Sequence, residues 1–433
     1  MNNLFHTFIV LLSTFLIYSC TTGNSENQKQ LEQYPNNVEI DSPDKETITV
    51  GGVEFEIDPS SQGEFLYDME GVELLQPSFK SKLNWTSNTA KCDYGSPNYA
   101  TIMVHQSNKS TFNSIEEALK KPLEVKNLFL VVDNLKALPK GIEKLQNLER
   151  LAVESANFTD FSKDIERLSK LPNIKTLQLK GCNLKTLPKN INLLKNLEVI
   201  YLGFNPIESL PDEFCELENL LFAEFYNASS LRELPSDFGN LSKLEFLGIA
   251  GTSISTFPNS IENCDNLLCI TANSAQVEKL PSTFGGLENL CNLNLGYNYK
   301  IKELPTSFIN LKRLTNLNLQ ENKLNYLPSN FDKLQNLTHL NLNGNQLNTF
   351  PNALPKLSNL MQIDMLENNI NHIPYEMADS ENIDIIMYDA AKISQTNIDS
   401  LKQLNPDIHL YSDYNQMGSL LQEMIMKDMK KDK

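Results

Sequence analysis

The chain has 433 residues, enough for two or three average domains or for one long repeat array. Hydrophobic residues at 40% and charged residues at 21% describe a folded chain, neither disordered nor many times membrane-spanning. Lys and Arg number 37 against 54 Asp and Glu, a net charge of −17, and the one basic cluster is the short tail Lys427–Lys433. Neutralising phosphates needs grouped cations, so this balance excludes a nucleic-acid partner and a broad headgroup-binding surface. Seven cysteines without regular spacing suggest neither a disulfide framework nor a zinc pattern.

In chain order, the first element is the apolar stretch of fifteen residues from Leu4 to Tyr18. At about 1.5 Å per residue it makes roughly 22 Å of helix, short of the ~30 Å hydrocarbon core, so a secretory signal fits better than a span. Ile17-Tyr18-Ser19-Cys20 follows, then the polar run Thr21-Thr22-Gly23-Asn24-Ser25. This resembles the lipobox of bacterial lipoproteins: an aliphatic residue three before a Cys, with a small residue directly before it. The resemblance implies a signal peptide over residues 1–20, lipidation of Cys20, and anchoring in the bacterial envelope, at the outer membrane. Met1-Asn2-Asn3 lacks the usual Lys or Arg, and Tyr18 is bulky for its place. Without the resemblance, the stretch reads as an ordinary cleaved signal. Several acyl chains on one Cys hold a protein to a membrane lastingly.

Residues 21–46 are polar, acidic and poor in large apolar groups, which predicts a disordered tether reaching roughly 25–30 Å. Residues 47–111 read as a small β-rich region. Ile48 to Ile57 alternates around Gly51-Gly52, a hairpin signal, and Thr101–Val104 suggests another strand. A cap helix is expected within 112–124, with Ser114 as N-cap, Glu117 completing a capping box and Pro122 ending it.

From Val125 a motif returns about every 23 residues: L-x-x-L-x-L-x-x-N-x-L-x-x-L-P, then two buried apolar positions and a closing Asn. Twelve units start at Val125, Leu148, Ile174, Leu197, Leu220, Leu244, Leu267, Leu290, Leu314, Leu337, Leu360 and Ile383. Units starting at Leu148, Leu220 and Leu290 run to 26, 24 and 24 residues. Ten of the 20 prolines fall in one phase of this period, which a helical bundle cannot carry. The motif resembles the leucine-rich-repeat family across residues 125–411. It implies an α/β solenoid, a leucine-rich-repeat horseshoe with short parallel strands on the concave face and irregular, 3₁₀ or short helical segments on the convex one. Each unit's first residue is position 1; positions 4 and 6 point inward, and positions 3, 5 and 7 point outward.

The ladder Asn is kept at Asn205, Asn298, Asn322, Asn345 and Asn368, and replaced by Asp133, Ala156, Cys182, Ala228, Thr252, Ala275 and Ala391. The N-terminal half is therefore expected to be less regular. A convex helix with Ile393, Ile398, Leu401 and Leu404, then a last strand Ile408–Tyr411, are expected to finish the array. In residues 412–433, Met417, Leu420, Leu421, Met424, Ile425 and Met429 recur at helical spacing, as a cap helix or a partner-binding one.

Outward positions place Tyr201, Phe222, Glu224, Tyr226 and Phe246 on adjacent strands, the candidate partner-binding patch. A lane of Asn follows, at Asn292, Asn294, Asn316, Asn318, Asn341 and Asn343, with Gln320, His339, Gln362 and Asp364. His339 and Asp364 read as ordinary surface groups. No H-E-x-x-H, G-x-S-x-G or phosphate-cradling Gly loop is present. Residues and resemblance together imply no enzyme, cofactor or metal, but a binding protein with a protein partner. A glycan or cell-wall ligand is the alternative, and the membrane is reached only through the lipid anchor.

Overall fold

The computed structural model describes residues 110–414 and four short strands within residues 47–74. The chain divides into two compact units, residues 1–88 and 89–433. In the first, Thr47–Val50 (β1) pairs antiparallel with Val53–Glu56 (β2), Val50 opposite Val53. This is the two-residue hairpin that Gly51-Gly52 predicts. Leu66–Tyr67 (β3) and Glu73–Leu74 (β4) pair in the same sense. The signal peptide, Cys20, the tether, the Thr101–Val104 strand and the helix expected from Met417 to Met429 lie outside the described residues.

The second unit carries one sheet of fourteen strands in chain order, from Thr111–Phe112 (β5) to His409–Tyr411 (β18), each parallel to the next. The twelve strands of the repeats start on position 3 of their units, as Phe222, Asn316 and Ile385 illustrate. The sheet begins one strand before the first expected repeat, because Thr111–Phe112 pairs with Asn127–Leu128. Between them lies Ile115–Lys120 (α1). Ser114 Oγ accepts from the Glu117 amide at 3.3 Å, but the Glu117 carboxylate accepts from Lys120, so the box is half made.

Inward positions build one continuous core. Ile200, Ala223 and Leu247 at position 4, then Leu202, Phe225 and Ile249 at position 6, are fully buried in it. On the convex side the recurring Pro is extended and opens a 3₁₀ turn, at Pro188, Pro211, Pro258, Pro305 and Pro374. Each turn buries one large residue. Phe214 stacks on Phe238 at 6.4 Å, and Phe284 on Phe308 at 6.5 Å.

Irregularity sits in the first three repeats. Their strands are five residues long (Asn127–Val131, Arg150–Glu154, Thr176–Lys180), against three from Val199 onward. The 26-residue unit uses its extra length for Ser162–Leu168 (α2). Near the end, Gln395–Leu404 (α3) follows its cap Ser394 and buries Ile398 and Leu401, while Leu404, expected on the same buried side, is exposed. Cys182, Cys215, Cys264 and Cys269 are free and buried, and Cys291 is disulfide-bonded.

The ladder asparagines turn inward as their phase requires. Asn205 Nδ2 donates to the carbonyls of Leu179, Leu202 and Gly203, and its Oδ1 accepts from the amides of Cys182 and Leu184. Where the ladder Asn is missing, Thr252 Oγ1 donates to the Ile249 carbonyl and Cys182 Sγ to that of Val153. Asn322 is the exception. Its Nδ2 donates to three carbonyls, but its buried Oδ1 has no partner. The preceding unit holds an extra residue, and the Tyr299 amide donates to the Glu321 carbonyl instead. Urea unfolding therefore separates the two: Asn205→Ala costs about 2–3 kcal/mol and Asn322→Ala about 1–2 kcal/mol. Equal losses contradict this account of the ladder.

Candidate binding face

Parallel register lines the outward residues into rows across the sheet. One row passes through Val199, Phe222, Phe246, Cys269 and Asn292, the next through Tyr201, Glu224, Gly248, Thr271 and Asn294. The five patch residues are thus brought together. Phe222 and Phe246 stack at 4.4 Å with their planes 7° apart.

The patch is assembled but not open, which corrects its reading as a docking surface. Phe222 and Phe246 are each 1% exposed, Tyr201 and Glu224 each 8%, and only Tyr226 is half-exposed. Phe222, Phe246 and Cys269 form an apolar cluster separate from the main core. Glycines make room for the larger neighbours. A Cβ on Gly248 would lie 2.2 Å from a Glu224 carboxylate oxygen, and one on Gly203 2.8 Å from the Tyr201 hydroxyl.

Glu224 is a carboxyl held away from water. Burial pushes it up to about 8, against the lowering pull of the Tyr226 and Phe225 amides, and its Oε1 has no partner. Burial thus favours its neutral form, which relieves the charge that burial opposes.

The polar lane has a structural cause at position 5. Asn294, Asn318, Asn341 and Asp364 each accept, through Oδ1, the amide two residues on, at 3.0–3.1 Å. That amide sits where the chain leaves the sheet and no strand partner reaches it. Asn316, Asn318, His339 and Asn341 stay half-exposed and are the open stretch of the face. Asp364 is not an ordinary surface group: it is buried and accepts from the Tyr414 hydroxyl at 2.5 Å. Burial raises its carboxyl to about 6, while the bonds from Tyr414, Leu366 and Asn343 pull it down.

Position 8 was not among the outward positions, and it carries the most distinctive residues. In ten successive repeats, from Ser155 to Glu367, its backbone is left-handed, with φ between 52° and 69°. This geometry aims its amide at the position-7 carbonyl of the next repeat, as from Phe204 to Tyr226 and from Tyr297 to Gln320. Gly and Asn take such a φ at low cost; aromatic residues do not. Yet Phe204 and Tyr297 occupy it. Phe204 meets Tyr226 edge-on at 5.3 Å, with Lys180 Nζ 5.8 Å above its ring. Tyr297 meets Tyr299, also left-handed, at 6.2 Å. Phe204 is 39% exposed and Tyr299 52%, so the open aromatics form a rim beside the face. The signal in the sequence is an aromatic directly before a ladder Asn, in Phe204-Asn205 and Tyr297-Asn298. Among the described residues, no group of three or more His, Cys, Asp and Glu is placed to hold a metal ion, and no helix is long and apolar enough to cross a membrane.

The family model described as Leucine rich repeat matches residues 280–324, and a second, Leucine Rich Repeat, matches residues 196–217 and 336–357. Among solved structures, the glycosylated Toll–Spatzle complex of Drosophila is similar at 24% identity over 69% of this chain and 43% of that one, with a TM-score of 0.59. Another structure of that complex covers 61% and 38% at 22% identity, TM-score 0.52. A Leptospira interrogans LRR protein covers 70% and 100% at 24% identity, TM-score 0.39. The chain spans less than half the length of the Toll-complex chains it matches. No curated protein matches the sequence. At these identities the likeness is one of fold, and the fold is the leucine-rich-repeat solenoid.

A pH prediction follows from Glu224. Its folded value, about 8, lies above the ordinary 4.5, so the folded chain holds the extra proton and stability falls as pH rises through that interval. Asp364 acts in the same direction only up to about 6, and His409, raised by its bond to Asp384, does so above its ordinary 6.5, so the share of Glu224 between about 6 and about 8 is read from its own variant. Glu224→Gln should flatten the decline there and raise stability at pH 8 by on the order of 1–3 kcal/mol in urea titrations. An unchanged slope would show that Glu224 does not hold the proton.

Proposed function

We propose that this protein is a non-enzymatic recognition lipoprotein of the bacterial envelope, anchored through Cys20, that binds a protein partner along the open stretch of its sheet face and the aromatic rim. One observation carries the binding role. Phe204 and Tyr297 hold a left-handed backbone at a position where Gly181, Asn227, Gly251 and Gly344, or the polar Ser155, Ser274, Glu321 and Glu367, stand in other repeats. An L-residue there costs on the order of 1 kcal/mol relative to Gly. The main core gains nothing in return, because neither ring is part of it. Exposed, rigid aromatics are the anchors protein interfaces use, and they suit recognition without chemistry. The fold supports this reading, since the similar Toll structure is a complex with Spatzle. The envelope anchor is supported by the apolar Leu4–Tyr18 stretch followed by Ile17-Tyr18-Ser19-Cys20. Glycan binding is the second reading, favoured by the open ring of Tyr299, on which a sugar can stack.

Phe204→Asn tests the rim without breaking the array, because Asn tolerates the left-handed backbone. Its unfolding free energy should stay within about 1 kcal/mol of the parent, while partner recovery in affinity capture falls about tenfold or more. Equal recovery by Phe204→Asn and Tyr299→Ser removes the rim from the binding site. Glycan-array binding lost in the same variants assigns the site to a glycan. Mass spectrometry of the membrane-extracted N-terminus should find acylated Cys20 as the first residue; an unmodified thiol there refutes the anchor.

A further inference from the structure

The C-terminal end of the sheet carries apolar residues on the side away from the main core. Leu366, Ile385 and Met387 stand at outward positions and are buried, Met387 completely. None belongs to the main core, where the inward neighbours Ile386 and Tyr388 pack. Apolar side chains on an outward face lose water only when something lies over them.

The chain itself turns onto that side. Tyr414, three residues past the last strand, donates its hydroxyl to Asp364 Oδ2 and accepts from Asn343 Nδ2 at 3.3 Å. Those partners belong to repeats whose strands lie two and three places back in the sheet. The polypeptide therefore leaves its last strand heading over the face. Nineteen residues remain beyond Tyr414. As a helix they extend roughly 28 Å, about six strands at ~4.8 Å spacing. Met417, Leu420, Leu421, Met424 and Ile425 share one side of such a helix, and Lys427, Lys430, Lys431 and Lys433 follow. An acidic margin lines this end of the face: Glu321 and Glu367 sit close enough that burial and the charge of Glu367 together raise the Glu321 carboxyl.

We propose that residues 415–433 form an amphipathic helix that docks on the sheet face, its apolar side on Leu366, Ile385 and Met387 and its lysines toward Glu321 and Glu367. The chain then supplies its own occupant for the end of the face. A partner is left the aromatic rim and the strands the helix does not reach. This holds whatever the partner is, and it fails independently of the rim.

Hydroxyl-radical labelling of the full chain, read by mass spectrometry, tests it. Leu421→Asp with Ile425→Asp should speed labelling of Met387 about tenfold or more, while Met365, inside the main core, stays slow. Met387 as protected in the variant as in the parent overturns the proposal. If both methionines open together, the milder Ile425→Ser decides by the same criterion. Protection of Met387 that fades on dilution would assign the face to a second copy and would equally overturn the proposal.

Discussion

Stacking in this solenoid depends on backbone groups that only the neighbouring repeat can satisfy. Each unit turns away from its strand exposing amides and carbonyls beyond the reach of any ladder bond. Asparagine side chains close most of these gaps. The inward ladder, exemplified by Asn205, Asn298 and Asn345, gathers carbonyls from two repeats at once. A second series on the convex side, including Asn196, Asn219, Asn266 and Asn336, donates to carbonyls of the preceding unit at 2.7–3.0 Å. Because each side chain is short, the repeat length has little freedom. One added residue leaves Asn322 Oδ1 without a donor. The longer insertion needs a different device: on α2, Asp164 takes the Leu138 amide, and Arg167 donates to the Leu138 and Pro139 carbonyls.

The same requirement shapes the face. Position 5 carries Asn or Asp in successive repeats because a short side-chain oxygen there accepts the amide two residues later. Position 8 is left-handed because that twist carries the amide on to the next repeat. Much of what resembles a decorated binding surface is thus backbone satisfaction repeated at each turn. Residues that break these local rules are the better guide to function. Phe204 and Tyr297 break the rule at position 8, and Glu224 stands at position 5 with one oxygen unsatisfied.

The fold was almost fully legible in the sequence because its determinants are local and periodic. Leu317 and Leu319 point inward by phase, Pro305 opens a turn by its fixed φ, and every repeat strand starts where its phase predicts. The site was legible only in part. Phase correctly put Tyr201, Phe222, Glu224, Tyr226 and Phe246 side by side, but phase says which way a residue points, not whether the space above it is free. Phe222 and Phe246 show the difference. The left-handed aromatics were missed because backbone handedness follows from hydrogen bonding between repeats, not from hydrophobic period. The Tyr414–Asp364 bond spans 50 residues, and no periodicity announces it.

A surface generated by repetition is uniform by default, so specificity requires departures that the stacking tolerates. Departures at inward positions are excluded, because a lost ladder bond or core side chain costs about 1–5 kcal/mol and weakens both neighbouring interfaces. At outward positions 3 and 5 the centre of the sheet is already closed around Phe222, Phe246 and Cys269. Position 8 is different. A strained aromatic there costs on the order of 1 kcal/mol, whereas one well-seated ring at an interface contributes about 2 kcal/mol or more. Binding can therefore outweigh strain at this position without disturbing the ladder beneath it. Phe204 fits that balance: its ladder neighbour Asn205 keeps all its bonds while the ring stays open to solvent.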